Sequence, residues 1–162
     1  PGCFLIGDTL CNGKNTFQFE GIPMFPSEHF AEVNAVDSGK RKQFLKGIKQ
    51  ISEEGAIQVF KQPDLGVERF TIGVAGALQF EVLEYRLKNE YNVEIRIRNL
   101  PYQLARWVVT ENFNKDMLAY TDTLLLEDQY QRPVVLFKNE WSLSRMEDKN
   151  KYVKFLDIAP VN

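Results

Sequence analysis

Histidine and cysteine are scarce: the 162 residues hold one histidine, His29, and two cysteines, Cys3 and Cys11. Zinc takes four thiolate, imidazole or carboxylate ligands at characteristic spacings. Two cysteines and a distant histidine do not make such a site. A Cys3–Cys11 disulfide would suit a secreted chain, but nothing else reads as secreted. Both thiols are therefore expected to be reduced, as in cytosolic proteins. No apolar run approaches the ~20 residues of a membrane span. The opening PGCFLIGDTL has neither a basic start nor a signal-peptide core, and it reads as a cut in mid-pattern. The net charge is only −2, so any contact with nucleic acid must come from a local basic patch. What remains is an ordinary globular balance, 44% hydrophobic and 26% charged. It suffices for one core and part of a second domain.

Residues 3–20 alternate weakly, with turn signals at IGDT and CNGKN, and read as short antiparallel strands. GIPMFPSE (21–28), with Pro23 and Pro26, reads as a linker, and the main domain boundary is placed there. In 29–36, Ala31, Val33 and Ala35 share one face of a strand. In 37–55, Phe44, Leu45, Ile48 and Ile51 recur at helical spacing. Ser38 is the expected N-cap and Gly55 the expected stop. A strand at 56–60, a turn at 62–67 and a strand at 68–75 follow. Residues 77–91 form a second helix with two apolar stripes: Leu78, Val82 and Tyr85 on one side, Phe80, Leu83, Leu87 and Tyr91 on the other. VEIRIRN (93–99) alternates, with Val93, Ile95 and Ile97 inward and Glu94, Arg96 and Arg98 outward.

The order from 29 to 99 is thus β-α-β-β-α-β. It predicts an α+β, ferredoxin-like split βαβ fold: an antiparallel sheet with both helices on one face. The other face would carry Thr71, Gly73, Glu94, Arg96 and Arg98, polar and partly basic. LARWVVT (104–110) reads as another strand. The tail predicts a strand at 133–138, a helix at 140–151 and a strand at 152–158. This appended β-α-β layer is a candidate to cover the second stripe of helix 77–91.

Catalytic machinery is not evident. GVAGALQF holds Gly73 and Gly76, but a phosphate loop needs Gly-x-x-x-x-Gly-Lys-Ser/Thr, and a dinucleotide fingerprint needs three glycines in a parallel sheet. The plainer reading is that Gly76 tolerates the turn and Gly73 lets the helix lie close to its strand. VDSGKR offers only Gly39-Lys40. NKDM (114–117) has its Asp116 one place too early for the guanine-reading Asn-Lys-x-Asp. His29 stands alone beside the linker. Glu53 and Glu54 crowd a helix end where the macrodipole disfavours them; they are solvated, or answered by a basic neighbour or a partner.

The basic residues say more. Lys42, Lys46 and Lys49 line one side of the first helix, joined by Lys40 and Arg41 at its start. Arg96 and Arg98 project from the outer sheet face, and Arg106 is expected just beyond. Solvated lysines are the default. Arginines on a rigid sheet favour bidentate partners, either phosphate or carboxylates on neighbouring strands.

Four stretches carry a resemblance: IGDTL, RKQFLKGIKQISEEGAIQVF, GVAGALQFEVLEYRLKNEYNVEI and ARWV. The first resembles the closing strand of the second-domain β-barrel of translational GTPases. The others are similar to the third domain of class II peptide-chain release factors. After residue 111 only the outline of elements is similar. The resemblance implies the end of a barrel domain at 1–20, a linker at 21–28 and the third domain at 29–162. It implies a cytoplasmic bacterial parent that binds the ribosome and promotes dissociation of class I release factors. GTP and magnesium would sit in a separate G domain, so no cofactor, metal or catalytic residue is expected in these residues. Partners would be small-subunit rRNA and protein, the parent's own G and barrel domains and, functionally, the class I factor, with no membrane or DNA. Ribosome contacts would be sought at Lys40, Arg41, Lys42, Lys46, Lys49, Arg96, Arg98 and Arg106. Two rival readings are a ferredoxin-like small-molecule-binding regulatory module and an acylphosphatase-like enzyme. The second lacks an anion-cradling loop after the first strand, and the first needs an apolar pocket with convergent polar groups.

Overall fold

A computed structural model describes residues 9, 11, 12, 17, 19, 26–62, 70–110, 113 and 122–160. Most of the strands expected in 3–20, most of the linker and residues 63–67 of the expected turn lie outside the described residues. Within them the elements run β1 (His29–Ala35), α1 (Arg41–Glu53), β2 (Gln58–Lys61), β3 (Phe70–Val74), α2 (Leu78–Tyr91), β4 (Ile95–Leu100), β5 (Leu104–Val108), β6 (Thr123–Glu127), β7 (Pro133–Phe137), α3 (Glu140–Lys149) and β8 (Phe155–Leu156).

The first six elements form the expected split βαβ unit, with strand order β4-β1-β3-β2 and antiparallel pairing throughout. Alternation decides which side chains meet the helices. Ala31, Val33, Ile72, Val74 and Ile95 point to one face and pack with Phe44, Ile48 and Ile51 of α1 and Phe80, Leu83 and Leu87 of α2. The helices approach closely at Gly47, where a Cβ would lie 2.5 Å from Leu87 Cδ2. The expected N-cap at Ser38 is displaced by one residue. Asp37 caps instead, its Oδ1 accepting from the Gly39 N–H at 2.8 Å, and a 3-10 turn at Ser38–Lys40 leads into α1. Gly55, at φ 74°, ends this helix in the left-handed region, and Asn92, at φ 54°, ends α2.

The reasons expected for Gly73 and Gly76 do not hold. Gly73 lies on the sheet face away from the helices. A Cβ there would meet Ser27 Oγ at 2.6 Å and the Phe60 ring at 2.9 Å. The space therefore belongs to the segment before β1, not to α2. A Cβ at Gly76 would meet nothing within 4 Å, and its φ is not left-handed. Its N–H donates to Gln79 Oε1 at 3.1 Å.

The tail does not form a separate layer. It extends the same sheet beyond β2, giving eight strands among the described residues in the order β4-β1-β3-β2-β6-β7-β5-β8. β6, which was not expected, makes the join by pairing Lys61 with Glu127. The registers put Leu126, Val134 and Trp107 on the same face as Phe60. On that face Phe30 and Phe60 share a buried cluster with Ala105, Trp107, Leu126, Val134 and Leu136. The sheet must curl to bring them together. The outer face is therefore polar only at its β4–β1 end, and Thr71 and Gly73 are buried. On the opposite face Leu143 and Met146 of α3 pack on Val108, Val135 and Phe137. All three helices thus share one face. Asn139 caps α3 by accepting from the Ser142 N–H at 2.9 Å, while its own N–H donates to Ser142 Oγ at 3.2 Å.

This topology overturns the expected cover for α2. α1 lies along β2 and α2 along β4, so strands added beyond β2 grow away from α2. Leu78, Val82 and Tyr85 remain exposed. Among the described residues no helix is long and apolar enough to cross a membrane.

Candidate nucleic-acid interface

β4 is the outermost strand at one end of the sheet. Its alternation sends Arg96 and Arg98 outward, about 7 Å apart. Across the ladder Arg98 faces Glu32 and Arg96 faces Asn34 on β1. The Arg98–Glu32 pair is bidentate in form: Nε donates to Oε2 at 3.2 Å, and Nη2 pairs with Oε1. The hydrogen bonds and charge of Glu32 push the Arg98 pKa up. Arg96 has no carboxylate partner among the described residues. Together Glu32, Asn34, Ala35, Val36, Arg96 and Arg98 line an open hollow of about 540 Å³. One guanidinium is thus held and largely neutralised, and its neighbour is unspent on a rigid strand. Such a group suits a phosphate oxygen.

The other basic candidates do not join this face. Lys40 Nζ donates to the Asn92 carbonyl at 2.6 Å, where a cation satisfies the C-terminal end of α2. Arg41, Lys42 and Lys46 are exposed on α1. Lys49 is also exposed, 3.7 Å from Glu53. These residues lie on the helix side of the sheet. Arg106 is not beside Arg98. The β5–β7 register puts it on the α3 side, half-buried, with Nη2 3.7 Å from Glu140 and Nη1 donating to the Ala105 carbonyl at 3.0 Å. The candidates therefore divide into an α1 group, the β4 pair and a buried-side arginine. Glu54 is answered from α2: Arg86 donates to it through Nη1 and to both oxygens of Glu90, at 2.8 and 3.0 Å. The Arg86 hydrogen bonds hold Glu54 and Glu90 below the usual carboxylate range, and the two acids push Arg86 up.

One polar cluster was missed in the sequence. Asp128, buried in the β6–β7 turn, accepts from Trp107 Nε1 at 3.0 Å, Arg132 Nε at 2.8 Å, and the backbone N–H groups of Tyr130 and Arg132 at 2.8 and 3.0 Å. The Arg132 guanidinium lies over the Tyr130 ring and also donates to the Pro160 carbonyl. With its lone pairs spoken for, the carboxylate is structural. The only advance signal was an Asp placed where a hairpin could turn. The hollow beside it measures about 20 Å³, room for about one water and not for a small-molecule ligand. Ser27 Oγ, also buried, donates to Gln58 Oε1 at 2.7 Å. Among the described residues no group of three His, Cys, Asp or Glu side chains could hold a metal ion. Cys11 is a free, exposed thiol, and Cys3 lies outside the described residues. His29 is exposed at the start of β1.

Comparison with known proteins places the chain in a family. Residues 19–147 match the family described as class II release factor RF3, C-terminal domain. The chain is 43% identical over 163 residues to peptide chain release factor 3 of Gloeobacter violaceus, covering 99% of this chain and 30% of that protein. It is 45% identical over 159 residues to the Symbiobacterium thermophilum protein of the same name, covering 98% and 30%. With the Staphylococcus carnosus protein it shares 40% over 157 residues, covering 97% and 30%. The chain thus spans about 30% of the length of these relatives. It belongs to the class II release factor RF3 family and corresponds to the C-terminal domain of its members.

Proposed function

We propose that these residues form the ribosome-engaging domain of a bacterial translational GTPase that promotes dissociation and recycling of class I release factors. In this reading GTP and magnesium bind elsewhere in the longer protein, which works in the cytoplasm. The domain supplies a rigid recognition body joined to the G and barrel domains. Family membership supports the termination role. The single structural observation that carries ribosome engagement is Arg96, uncompensated on a fixed strand beside the 540 Å³ hollow. Its geometry suits an rRNA phosphate of the small subunit. Arg98 is partly spent on Glu32, so Arg96 carries the larger share. The α1 lysines are flexible, hydrated and easily screened.

The test uses the full-length protein and purified ribosomes. Arg96→Ala is expected to weaken co-sedimentation by about fivefold and to lower the salt slope of binding by about one. Nucleotide affinity should not change. Glu32→Gln, which releases Arg98, should strengthen binding. Should Arg96→Ala bind and recycle like wild type while Lys42→Ala/Lys46→Ala fails, the contact lies on the α1 side instead.

A further inference from the structure

Along β1 every second side chain borders the hollow beside β4: Glu32, Asn34 and, just past the strand, Val36. Their chemistry differs in turn. Glu32 is spent on Arg98. Asn34 is exposed, and its amide has no hydrogen-bond partner among the described residues. Val36 is exposed and apolar. Across the ladder Asn34 is the register partner of Arg96, the guanidinium without a carboxylate among the described residues. Opposed side chains on an antiparallel pair stand on one face, with Cβ atoms about 4.5–5.5 Å apart. Two rigid strands thus hold an unspent guanidinium and an unspent amide side by side, next to an apolar ledge.

This combination selects its ligand. The guanidinium takes an anion. The amide is neutral and both donates and accepts, so it suits a group that also does both. A hydroxyl is such a group. A second phosphate or carboxylate oxygen only accepts, and would leave the amide oxygen unmatched. In a ribonucleotide the 2′-hydroxyl sits on the carbon next to the one that bears the 3′-phosphate, so anion and hydroxyl come at a short, fixed spacing. The apolar edge of the ribose meets the ledge of Ala35 and Val36. The hollow, about 540 Å³, lies in the range of sites that take small-molecule ligands. A carboxylate from another part of the longer protein would fill only its Arg96 half.

We infer that Asn34 is the residue by which this site tells RNA from DNA: its amide pairs with the ribose 2′-hydroxyl of the nucleotide whose phosphate Arg96 holds. The inference rests on the phosphate reading of Arg96 above. It adds sugar recognition to a contact that, through phosphate alone, would be indifferent to the sugar.

Full-length protein would be titrated at low salt with a fluorescein-labelled RNA hairpin, and with the same hairpin carrying fluorine in place of each 2′-hydroxyl. The fluorinated strand keeps its A-form and its phosphates and loses only the hydroxyls. Wild type should bind the hydroxyl form about three- to tenfold more tightly, the worth of one hydrogen bond. Asn34→Ala should erase that preference by lowering affinity for the hydroxyl form alone. Its melting temperature should not change, because the side chain is exposed. Asn34→Asp, of the same shape, should weaken both forms, because its charge repels the phosphate. Arg96→Ala should weaken both by the same factor. Equal binding of the two hairpins by wild type overturns the inference and leaves the phosphate contact standing. So does a preference that survives Asn34→Ala, or full affinity in Asn34→Asp. Failure to bind either hairpin, or binding that Arg96→Ala does not weaken, removes the phosphate reading itself, and this inference with it.

Discussion

Gly47 and Leu87 meet where α1 approaches α2, and their coupling can be measured. A methyl added at Gly47 would lie 2.5 Å from Leu87 Cδ2 and 3.0 Å from the Tyr91 ring. Two effects oppose each other in Gly47→Ala. Replacing a mid-helix glycine gains about 1 kcal/mol of helix propensity. Forcing the methyl into a packed interface costs about 1–3 kcal/mol. The single variant should lose about 0–2 kcal/mol. Leu87 is fully buried, so Leu87→Ala should lose about 3–5 kcal/mol through transfer and cavity formation. In the double variant the missing Cδ2 vacates the volume the new methyl needs, leaving only the ring contact. The double should therefore be less destabilised than the sum of the singles, by about 1–2 kcal/mol. Gly47→Ala should become neutral or stabilising in that background. Urea unfolding, followed by circular dichroism and by fluorescence of the buried Trp107, supplies the free energies, provided that m-values stay constant. Additivity within about 0.5 kcal/mol would refute the close approach. So would stabilisation by Gly47→Ala alone.

Two further outcomes follow from the polar contacts. Glu54 and Glu90 titrate below their ordinary range because of Arg86; their contribution is present above the unfolded carboxylate pKa and lost as pH falls through the lower folded values. The difference in melting temperature between wild type and Arg86→Gln should therefore be largest near neutrality and shrink as the pH falls through and below the ordinary carboxylate range; a difference independent of pH would contradict the pairing. Trp107→Phe removes one of the donors to Asp128 and part of a buried ring, and should cost about 1–3 kcal/mol. A loss under about 0.5 kcal/mol in the same urea assay would mean that the indole hydrogen bond carries no weight.

The elements legible in the sequence were those with a clear period. Ala31 and Val33 alternate, Phe44, Ile48 and Ile51 recur along a helix, and Val93, Ile95 and Ile97 alternate again. Each pattern states which face is dry, and the split βαβ order follows. β6 could not be read this way. In TLLLE the apolar residues run consecutively, because Leu126 packs with Trp107 on one face and Leu125 beside the α3 cluster on the other. A strand covered on both sides loses its period of two. The place of the tail was also hidden. Which edge a later strand joins is a long-range choice, here expressed through Lys61 and Glu127. That choice moved Arg106 away from Arg98 and left the second stripe of α2 exposed. A helix with two apolar stripes announces two contacts, and only tertiary structure says that the second is not made among the described residues.

The join between the two halves of the sheet rests on side chains more than on backbone pairing. The β2–β6 register holds one residue pair, Lys61 with Glu127, whereas β1–β4 holds six. What spans the seam is aromatic. Phe60 lies 6.2 Å from Phe30 and 6.3 Å from Trp107, ring centre to ring centre. Trp107 is in turn tied to Asp128, and Arg132 beside it holds Pro160. Buried aromatic contacts of this kind resist shear, because sliding one half would open voids between close-packed rings. The chain from Phe30 to Trp107 therefore makes one body of the β4–β1 end, where Arg96 stands, and the α3 end. A load applied to the arginine face would be carried through the sheet rather than absorbed at the thin β2–β6 ladder.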